Sequence, residues 1–126
     1  MKYAAIDVGL KRIGVAVSDG NVVFPQEAIL RRNREQAARD VDAFLQTWEV
    51  QTLVVGLPKG GESEAEMTRR IRHFVSLLTF SGEIVYQDEY GSSNEAAERM
   101  RGVTRNRRDG KLDSIAAQII LERYLS

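Results

Sequence analysis

The sequence contains no cysteine and only one histidine, His73, in 126 residues. The chain therefore has no disulfide bond and no thiolate nucleophile, and it cannot hold a metal ion with thiolates or with a set of imidazoles. No apolar segment approaches the ~20 residues that a membrane-spanning helix needs. These absences exclude disulfide-stabilised scaffolds, Cys and His metal sites, and helical membrane proteins.

Length and composition are those of an ordinary globular protein. The chain is 43% hydrophobic and 29% charged, and 126 residues are enough for one core but too few for two. We therefore expect a single domain over residues 1–126. Met1 and Lys2 lead straight into an apolar segment, without the hydrophobic region and cleavage site of a secretory signal, so a cytoplasmic location is expected.

The charges balance in number but not in position. Eighteen basic residues face eighteen acidic ones, and a net charge of zero at first argues against a nucleic-acid partner. The distribution of charge is more informative than the sum. Between residues 99 and 111 one acid, Asp109, stands against six bases: Arg99, Arg101, Arg105, Arg107, Arg108 and Lys111. Acids gather elsewhere, around Glu62–Glu66 and at Asp88 and Glu89.

Hydrophobic periodicity predicts three strands, then helix, strand, helix, strand and two further helices. The predicted strands are 3–8, 13–17, 22–24, 52–57 and 83–89, and the predicted helices start near residues 33, 63, 92 and 112. A hairpin-led antiparallel half joined to strand–helix–strand crossovers indicates an α/β fold. Its mixed five-stranded sheet would have three antiparallel strands followed by parallel ones, with helices on both faces.

Local signals refine these elements. Asn33 with Gln36 and Ser63 with Glu66 predict capping boxes at the starts of two helices. Pro25 is expected to interrupt the third strand, which indicates either an edge strand or the end of its pairing. Helical spacing further predicts that the first two helices bury these apolar residues: Ala37, Ala38, Val41, Phe44, Leu45, Trp48, Met67, Ile71, Phe74, Val75 and Leu78.

Acidic residues lie where the predicted strands and the last helix present their ends. Asp7 follows Ala4–Ile6 in the first strand, Glu89 closes the strand at residues 84–87, and Asp113 starts the last helix. Ligands of open α/β sheets bind at the carboxyl ends of such strands, so the three acids are expected to share one crevice. Like charges held together repel unless a cation lies among them. Oxygen ligands favour Mg²⁺ or Mn²⁺, which predicts a metal-dependent enzyme acting on phosphodiesters.

Three sequence blocks resemble the YqgF-type nucleases of the ribonuclease H-like superfamily. They are Asp7–Asp19 (DVGLKRIGVAVSD), Val54–Pro58 (VVGLP) and Leu112–Ala117 (LDSIAA), in the family's order. The resemblance covers the whole chain. It implies a ribonuclease H-like fold, a carboxylate-bound divalent metal ion, and maturation of the 5′ end of precursor 16S ribosomal RNA. The family is also similar to bacterial Holliday junction resolvases.

One position departs from the family pattern. The family follows its strand acid with arginine, a bulky apolar residue and threonine, whereas Glu89 is followed by Tyr90-Gly91-Ser92-Ser93. The neighbouring cation is therefore missing. Arg12 or an arginine of the 105–108 segment is expected to replace it.

Two sets of site residues follow. The predicted catalytic and metal-binding residues are Asp7, Glu89 and Asp113, with Asp7 bridging two ions ~3.5–4 Å apart and each of the others completing one ion. Gly9 would let the substrate approach the backbone beside Asp7. The predicted nucleic-acid contacts are Lys11, Arg12, Arg105, Arg107, Arg108 and Lys111. A solvated surface is the alternative interpretation of these basic residues.

Function retains alternatives from other classes. RNA is the expected substrate, cut by a monomer; a resolvase acting on branched DNA would instead be a homodimer with two active sites. An actin-like or sugar-kinase-like ATPase also opens with Asp-x-Gly, but it needs a second nucleotide-binding half that 126 residues cannot supply. A nucleic-acid-binding module without catalysis is the remaining alternative.

Overall fold

A mixed five-stranded sheet forms the centre of the molecule. The structure, a computed structural model, describes residues 1–89 and 111–126, with backbone only at 111 and 112. The strands are β1 (Lys2–Val8), β2 (Arg12–Asp19), β3 (Val23–Leu30), β4 (Thr52–Leu57) and β5 (Glu83–Asp88). Their order across the sheet is β3-β2-β1-β4-β5. The β3-β2-β1 pairings are antiparallel and the β1-β4-β5 pairings are parallel, which confirms the predicted mixed sheet.

Helices cover both faces of this sheet, as predicted. They are α1 (Arg34–Thr47), α2 (Glu64–Ser76) and α3 (Ile115–Leu125), and a 3-10 turn at Lys111–Ser114 leads into α3. On one face, residues such as Ile6 of β1 pack with Val41 of α1 and Phe74 of α2. On the other face, Ala5 packs with Ile120 of α3. Because side chains alternate along a strand, every second residue of β1 faces α3.

The third strand is longer than predicted. Instead of stopping at Pro25 it continues to Leu30, and Pro25 itself lies opposite Ala16 of β2. The prediction that Pro25 interrupts the strand and ends its pairing was therefore wrong, whereas the alternative prediction, an edge strand, is confirmed. The physical reason is that β3 is an edge strand with a partner on only one side. Edge strands tolerate proline, because a residue whose nitrogen faces the open side needs no N–H for a ladder hydrogen bond.

One predicted capping box is present and the other is absent. Asn33 accepts a hydrogen bond from the backbone N–H of Gln36, and the Gln36 side chain accepts one in return from the Asn33 backbone. Ser63, at the start of α2, makes no side-chain cap. Glu66 instead binds Arg70 one turn later. The capping prediction is confirmed for α1 and wrong for α2.

Two residues assigned to the core lie at its margin. Met67 of α2 is 41% exposed, and Trp48 follows the end of α1 with 38% of its surface exposed. Trp48 packs beside Phe44, with ring centroids 6.3 Å apart. Both residues match helical spacing, but spacing gives the face of a helix and not how far the neighbouring layer extends. The predictions that Met67 and Trp48 are core residues were wrong.

Two sequence predictions fall outside the described residues. These are the helix from Ser92 to Met100 and the basic loop from Gly102 to Gly110. Across residues 1–89 and 111–126, no helix has both the length and the apolar character that crossing a bilayer requires.

Candidate active site

Asp7 is the next-to-last residue of β1 and is partly buried on the α3 side of the sheet. Ala5, two residues earlier, belongs to the cluster beneath α3, and side-chain alternation places Asp7 on the same face. An ionised carboxylate in such a position is poorly solvated, and burial is the largest cause that raises the pKa of Asp7.

Glu89 reaches the same place from β5. It directly follows the last strand residue, and its backbone N–H donates to the carbonyl of Leu57 at 2.9 Å. That bond extends the pairing with β4 and fixes the backbone from which the Glu89 side chain projects. The Glu89 carboxyl hydrogen-bonds to the carboxylate of Asp7. Two acids 82 positions apart in sequence are thus in direct contact.

Gly56 makes this contact sterically accessible. Strand β4 lies between β1 and β5, so any side chain at Gly56 on the α3 face would stand between the two acids. A Cβ atom at Gly56 would lie 2.8 Å from Oε2 of Glu89 and 2.5 Å from Cδ1 of Ile120. This role of Gly56 was not predicted from the sequence, although strand alternation counted from Val54 places Gly56 on that face.

The electrostatics of the pair are those of two carboxyls that share a proton. Burial, the charge of Asp7 and the hydrogen bond to Asp7 raise the pKa of Glu89 from 4.5 to about 8, with a further contribution from Asp88. The positive charge of Arg123 on α3 acts in the opposite direction. Near neutral pH the pair is therefore expected to hold one proton between its two carboxyls.

The backbone of Asp113 packs against β2, the strand that pairs with β1 at Asp7. Gly14 of β2 is the register partner of Asp7, and a Cβ atom at Gly14 would lie 2.7 Å from the backbone oxygen of Asp113. The next residue, Ser114, is buried and accepts a hydrogen bond from the backbone N–H of Val15 at 3.0 Å. The turn before α3 is thus attached to the strand that neighbours Asp7.

The side chain of Asp113 is engaged by Arg12. Oδ2 of Asp113 lies 3.6 Å from Nε of Arg12, and about half of each side chain is exposed, 49% and 57% respectively. Within residues 1–89 and 111–126, no three Asp, Glu, His or Cys side chains are grouped so that they could hold a metal ion. The structure thus brings Asp7 and Glu89 together and places Asp113 beside Gly14, with its carboxylate on Arg12. Asp113 as a metal ligand stays a prediction.

The predicted nucleic-acid contacts are only partly placed. Lys11 and Arg12 are exposed in the β1–β2 hairpin beside Asp7. Arg105, Arg107, Arg108 and the side chain of Lys111 lie outside the described residues, as does Tyr90. Gly9 has a structural reason for being glycine: its N–H donates to the Arg12 carbonyl at 3.0 Å, and a Cβ atom would lie 2.5 Å from that oxygen. Its predicted role toward substrate is untested.

The Asp7–Glu89 pair suits a hard divalent cation. Its ligands are carboxylate oxygens, partly buried, and they are close enough to share a proton. Mg²⁺ is commonly held by one or two carboxylates, with waters and substrate phosphates completing its shell. A cation between the two oxygens would replace the shared proton and remove their repulsion.

Comparison with known proteins places the chain in a family. The family model described as "RuvX: Holliday junction resolvase" matches residues 1–126. A relative from Sulfurovum sp. (strain NBC37-1), named "Putative pre-16S rRNA nuclease", is 65% identical over 100% of this chain and 99% of its own length. A relative of the same name from Sulfurimonas denitrificans is 58% identical over 99% and 97%.

A solved structure shows the same fold at low sequence identity. Thermus thermophilus RuvC in complex with a Holliday junction substrate aligns with a TM-score of 0.56 and 14% identity, over 95% of this chain and 91% of that one. The likeness supports the ribonuclease H-like fold that the sequence predicted. Since the family model spans all 126 residues and the relatives match over almost their full length, the chain belongs to the RuvX Holliday junction resolvase family.

Proposed function

We propose that this protein is a divalent-metal-dependent nuclease that hydrolyses phosphodiester bonds at the 5′ end of precursor 16S ribosomal RNA. The nuclease activity is supported by family membership and by the names of relatives that share more than half of its residues. The RNA substrate is carried over from those relatives' names. Mg²⁺ and Mn²⁺ are the proposed cofactors, and the proposed domain covers residues 1–126.

The contact between Asp7 and Glu89 is the observation that carries this proposal. Two partly buried acids meet at the carboxyl ends of parallel strands, where α/β sheets bind their ligands. A structural role alone explains them poorly, because burial raises the pKa of both groups, and the charge of Asp7 raises that of Glu89 further, so that their ionised forms are disfavoured. A bound cation would offset the unfavourable free energy of holding two carboxylates together, which gives the arrangement a functional explanation.

Each side chain has a distinct task in the proposed reaction. Asp7 and Glu89 would hold the metal, which, when bound, supplies an activated water and neutralises charge on the phosphate. Asp113 would join them after its carboxylate leaves Arg12, which is then available to a substrate phosphate. Such an exchange is inexpensive, because an exposed ion pair is worth roughly 0–1 kcal/mol. Lys11, Arg105, Arg107, Arg108 and Lys111 are proposed as further phosphate contacts.

Cleavage in the presence and absence of metal tests this proposal. Mg²⁺ or Mn²⁺ should support hydrolysis of precursor RNA and EDTA should abolish it, since carboxylates provide no electrophile. Asp7→Asn should lose at least ~10²-fold in rate while binding RNA as well as or better than the wild type, because a negative charge is removed. Asp19→Asn is the matched control: this exposed acid ends β2 and should keep full activity. Full cleavage in EDTA, or by Asp7→Asn, would disprove the proposal.

Resolution of branched DNA is the second candidate function. The name of the matching family, Holliday junction resolvase, favours it, and the fold resembles that of a RuvC resolvase. The same carboxylate chemistry would serve either substrate. A resolvase cuts two symmetric positions, however, so this function requires a stable dimer with paired active sites.

A further inference from the structure

A basic groove lies beside the end of β1, on the side of the sheet opposite α3. Its volume is about 720 Å³. One wall is the segment Val8–Leu10, which begins one residue after Asp7, and the facing wall belongs to α2. We call it the arginine groove and define it by its basic side chains: Arg31, Arg34, Arg69, Arg70 and His73.

Positive charge in this groove is largely uncompensated. Glu66 is the acid that lines it, and its carboxylate is bound to Arg70 at 2.7 Å. Considering residues 1–89 and 111–126, Arg31, Arg34 and Arg69 form no ion pair with a carboxylate. Instead Nη1 of Arg34 lies 3.3 Å from Nδ1 of His73. Groups of one sign lining a concave surface concentrate the field on whatever enters it.

Arg31 shows that the groove is more than a solvated helix surface. It is partly buried, its Nη1 donates to the carbonyl of Gly9 at 2.8 Å, and its guanidinium lies 5.5 Å from the centre of the Phe74 ring. Burial and the charges of Arg34 and Arg70 lower the pKa of Arg31. A fixed cation among other cations is unfavourable by itself, and a bound anion would offset that repulsion.

The basic surface continues past the groove. A smaller hollow of about 360 Å³ shares Leu10, Arg31 and Arg34 with it, and is also lined by Arg32 and by one acid, Glu35. Together the two hollows extend from α2 across the end of β1 to the start of α1. A polymer with one charge on every residue matches such a continuous surface better than a small anion does.

We propose that the arginine groove binds the phosphate backbone of the nucleic-acid strand as it leaves the active site. This inference rests on the proposed nuclease function, because it takes the cleaved phosphate to lie at Asp7 and Glu89. Asp7 and the groove lie on opposite faces of the sheet but share its edge at the end of β1, so a strand cut at Asp7 can pass over that edge into the groove. The contacts are made to phosphates and are therefore independent of base sequence.

Binding measured without cleavage tests the groove separately from the activity. The probes are a labelled single-stranded RNA, DNA of the same sequence and a four-way DNA junction, titrated in EDTA at several salt concentrations. The variant is Arg34→Gln/Arg69→Gln, which changes two exposed residues of the groove and leaves Arg31 in place. Arg39→Gln is the control, an exposed arginine also on α1 but outside the groove.

The double variant should bind every probe more weakly. On single strands, the slope of log affinity against log salt concentration should become shallower by about 1.4, which is about 0.7 for each lost phosphate contact. That change corresponds to a loss of roughly 10- to 30-fold in affinity at 0.1 M salt. Arg39→Gln should leave the slope unchanged, and Arg34→Lys/Arg69→Lys should restore most of it, since lysine keeps the charge.

Three outcomes would overturn the inference. They are an unchanged salt slope in the double variant, an equal loss in Arg39→Gln, and wild-type protein that binds none of the probes. Failure of the nuclease proposal would look different. Wild-type protein would then bind the probes with the groove-dependent slope but cleave none of them in Mg²⁺ or Mn²⁺.

Discussion

At the scale of single residues, the candidate active site depends on a position that carries no side chain. Gly56 leaves the space through which Glu89 reaches Asp7 across β4. Both acids could be predicted from the sequence, because a carboxylate at the end of an apolar strand is unusual. Gly56 could not, because a glycine within a strand has no functional group that indicates a role. Its role becomes visible only when the neighbouring strands are in place.

Gly56→Ala should therefore impair the site through Glu89. The new methyl group would meet Oε2 of Glu89 at 2.8 Å and Cδ1 of Ile120 at 2.5 Å. We expect weaker Mg²⁺ binding and a cleavage rate reduced by roughly tenfold or more. An increase of ~1.4 kcal/mol in the activation free energy is sufficient for a tenfold reduction. Isothermal titration calorimetry with Mg²⁺ measures the change in metal affinity, and a cleavage assay measures the change in rate.

A double variant separates the two contacts of that methyl group. Ile120→Val removes Cδ1, so Gly56→Ala/Ile120→Val relieves the clash with α3 and retains the clash with the carboxyl. If Gly56 positions Glu89, the double variant regains stability but not metal affinity. Recovery of metal affinity in the double variant would reduce Gly56 to a packing residue.

The shared proton of Asp7 and Glu89 predicts how stability depends on pH. The pKa of Glu89 is about 8 in the folded protein and 4.5 ordinarily, so between these values the folded state holds a proton that the unfolded chain has released. The free energy of unfolding of the metal-free protein should thus fall as pH rises from about 4.5 to about 8. Glu89→Gln lacks this titration and should gain at least ~1 kcal/mol over the wild type between pH 5 and pH 8.

Urea unfolding in EDTA at several pH values measures this difference. Mg²⁺ should stabilise the wild type more strongly than Glu89→Gln, because the ion takes the place of the proton. Parallel pH profiles for the two proteins would show that Glu89 ionises normally and does not share a proton with Asp7.

At the scale of elements, the two helix starts show what a local pattern can and cannot predict. Asn33-x-x-Gln36 and Ser63-x-x-Glu66 match the same motif, but only the first has the required backbone: Asn33 is extended, with φ −155° and ψ 170°, whereas Ser63 has φ −92° and ψ 8°. At α2 the Glu64 carboxylate accepts from the N–H of Gly60 at 2.8 Å instead. The motif gives the residues, while the preceding loop decides their geometry.

This difference predicts unequal costs for the same change. Asn33→Ala should destabilise the protein by about 1 kcal/mol, because it removes the cap of α1. Ser63→Ala should cost at most a few tenths of a kcal/mol, because its hydroxyl caps nothing. Urea denaturation of both variants against the wild type measures the two values. Equal losses would mean that α2 is capped in solution after all.

Across the sheet as a whole, the sequence predicted the element types well and the ends of the elements less well. Periodicity gave all five strands and the faces of α1 and α2, because those patterns are local. The length of β3 depends on its position at the edge, and the exposure of Met67 depends on where the neighbouring layer stops. Both are properties of the assembled sheet. For the same reason, the arginine groove joins residues from the segment after β3, from α1 and from α2 that no spacing rule connects.

At the scale of the whole molecule, the substrate that the protein cleaves should match its number of subunits: RNA for a monomer, and a four-way DNA junction for a dimer. Purified protein is assayed against precursor 16S ribosomal RNA and a four-way DNA junction, with its mass measured by sedimentation. A monomer that trims the RNA and leaves the junction intact is the expected result. A dimer that makes symmetric nicks in the junction would favour the resolvase function instead, since paired cuts require paired active sites.

The hydrogen bond from the Val15 N–H to Ser114 also has a consequence for biosynthesis. It joins residues 99 positions apart, and the sheet face around Ala5 and Val54 stays uncovered until α3 packs on it. A ribosome adding ~5–20 residues per second needs about 6–25 s for this chain, so the face stays open for most of that time. A chain cut before residue 114 should bind a hydrophobic dye, whereas the full chain should not. We therefore expect the candidate active site to form only after the residues of α3 have been synthesised.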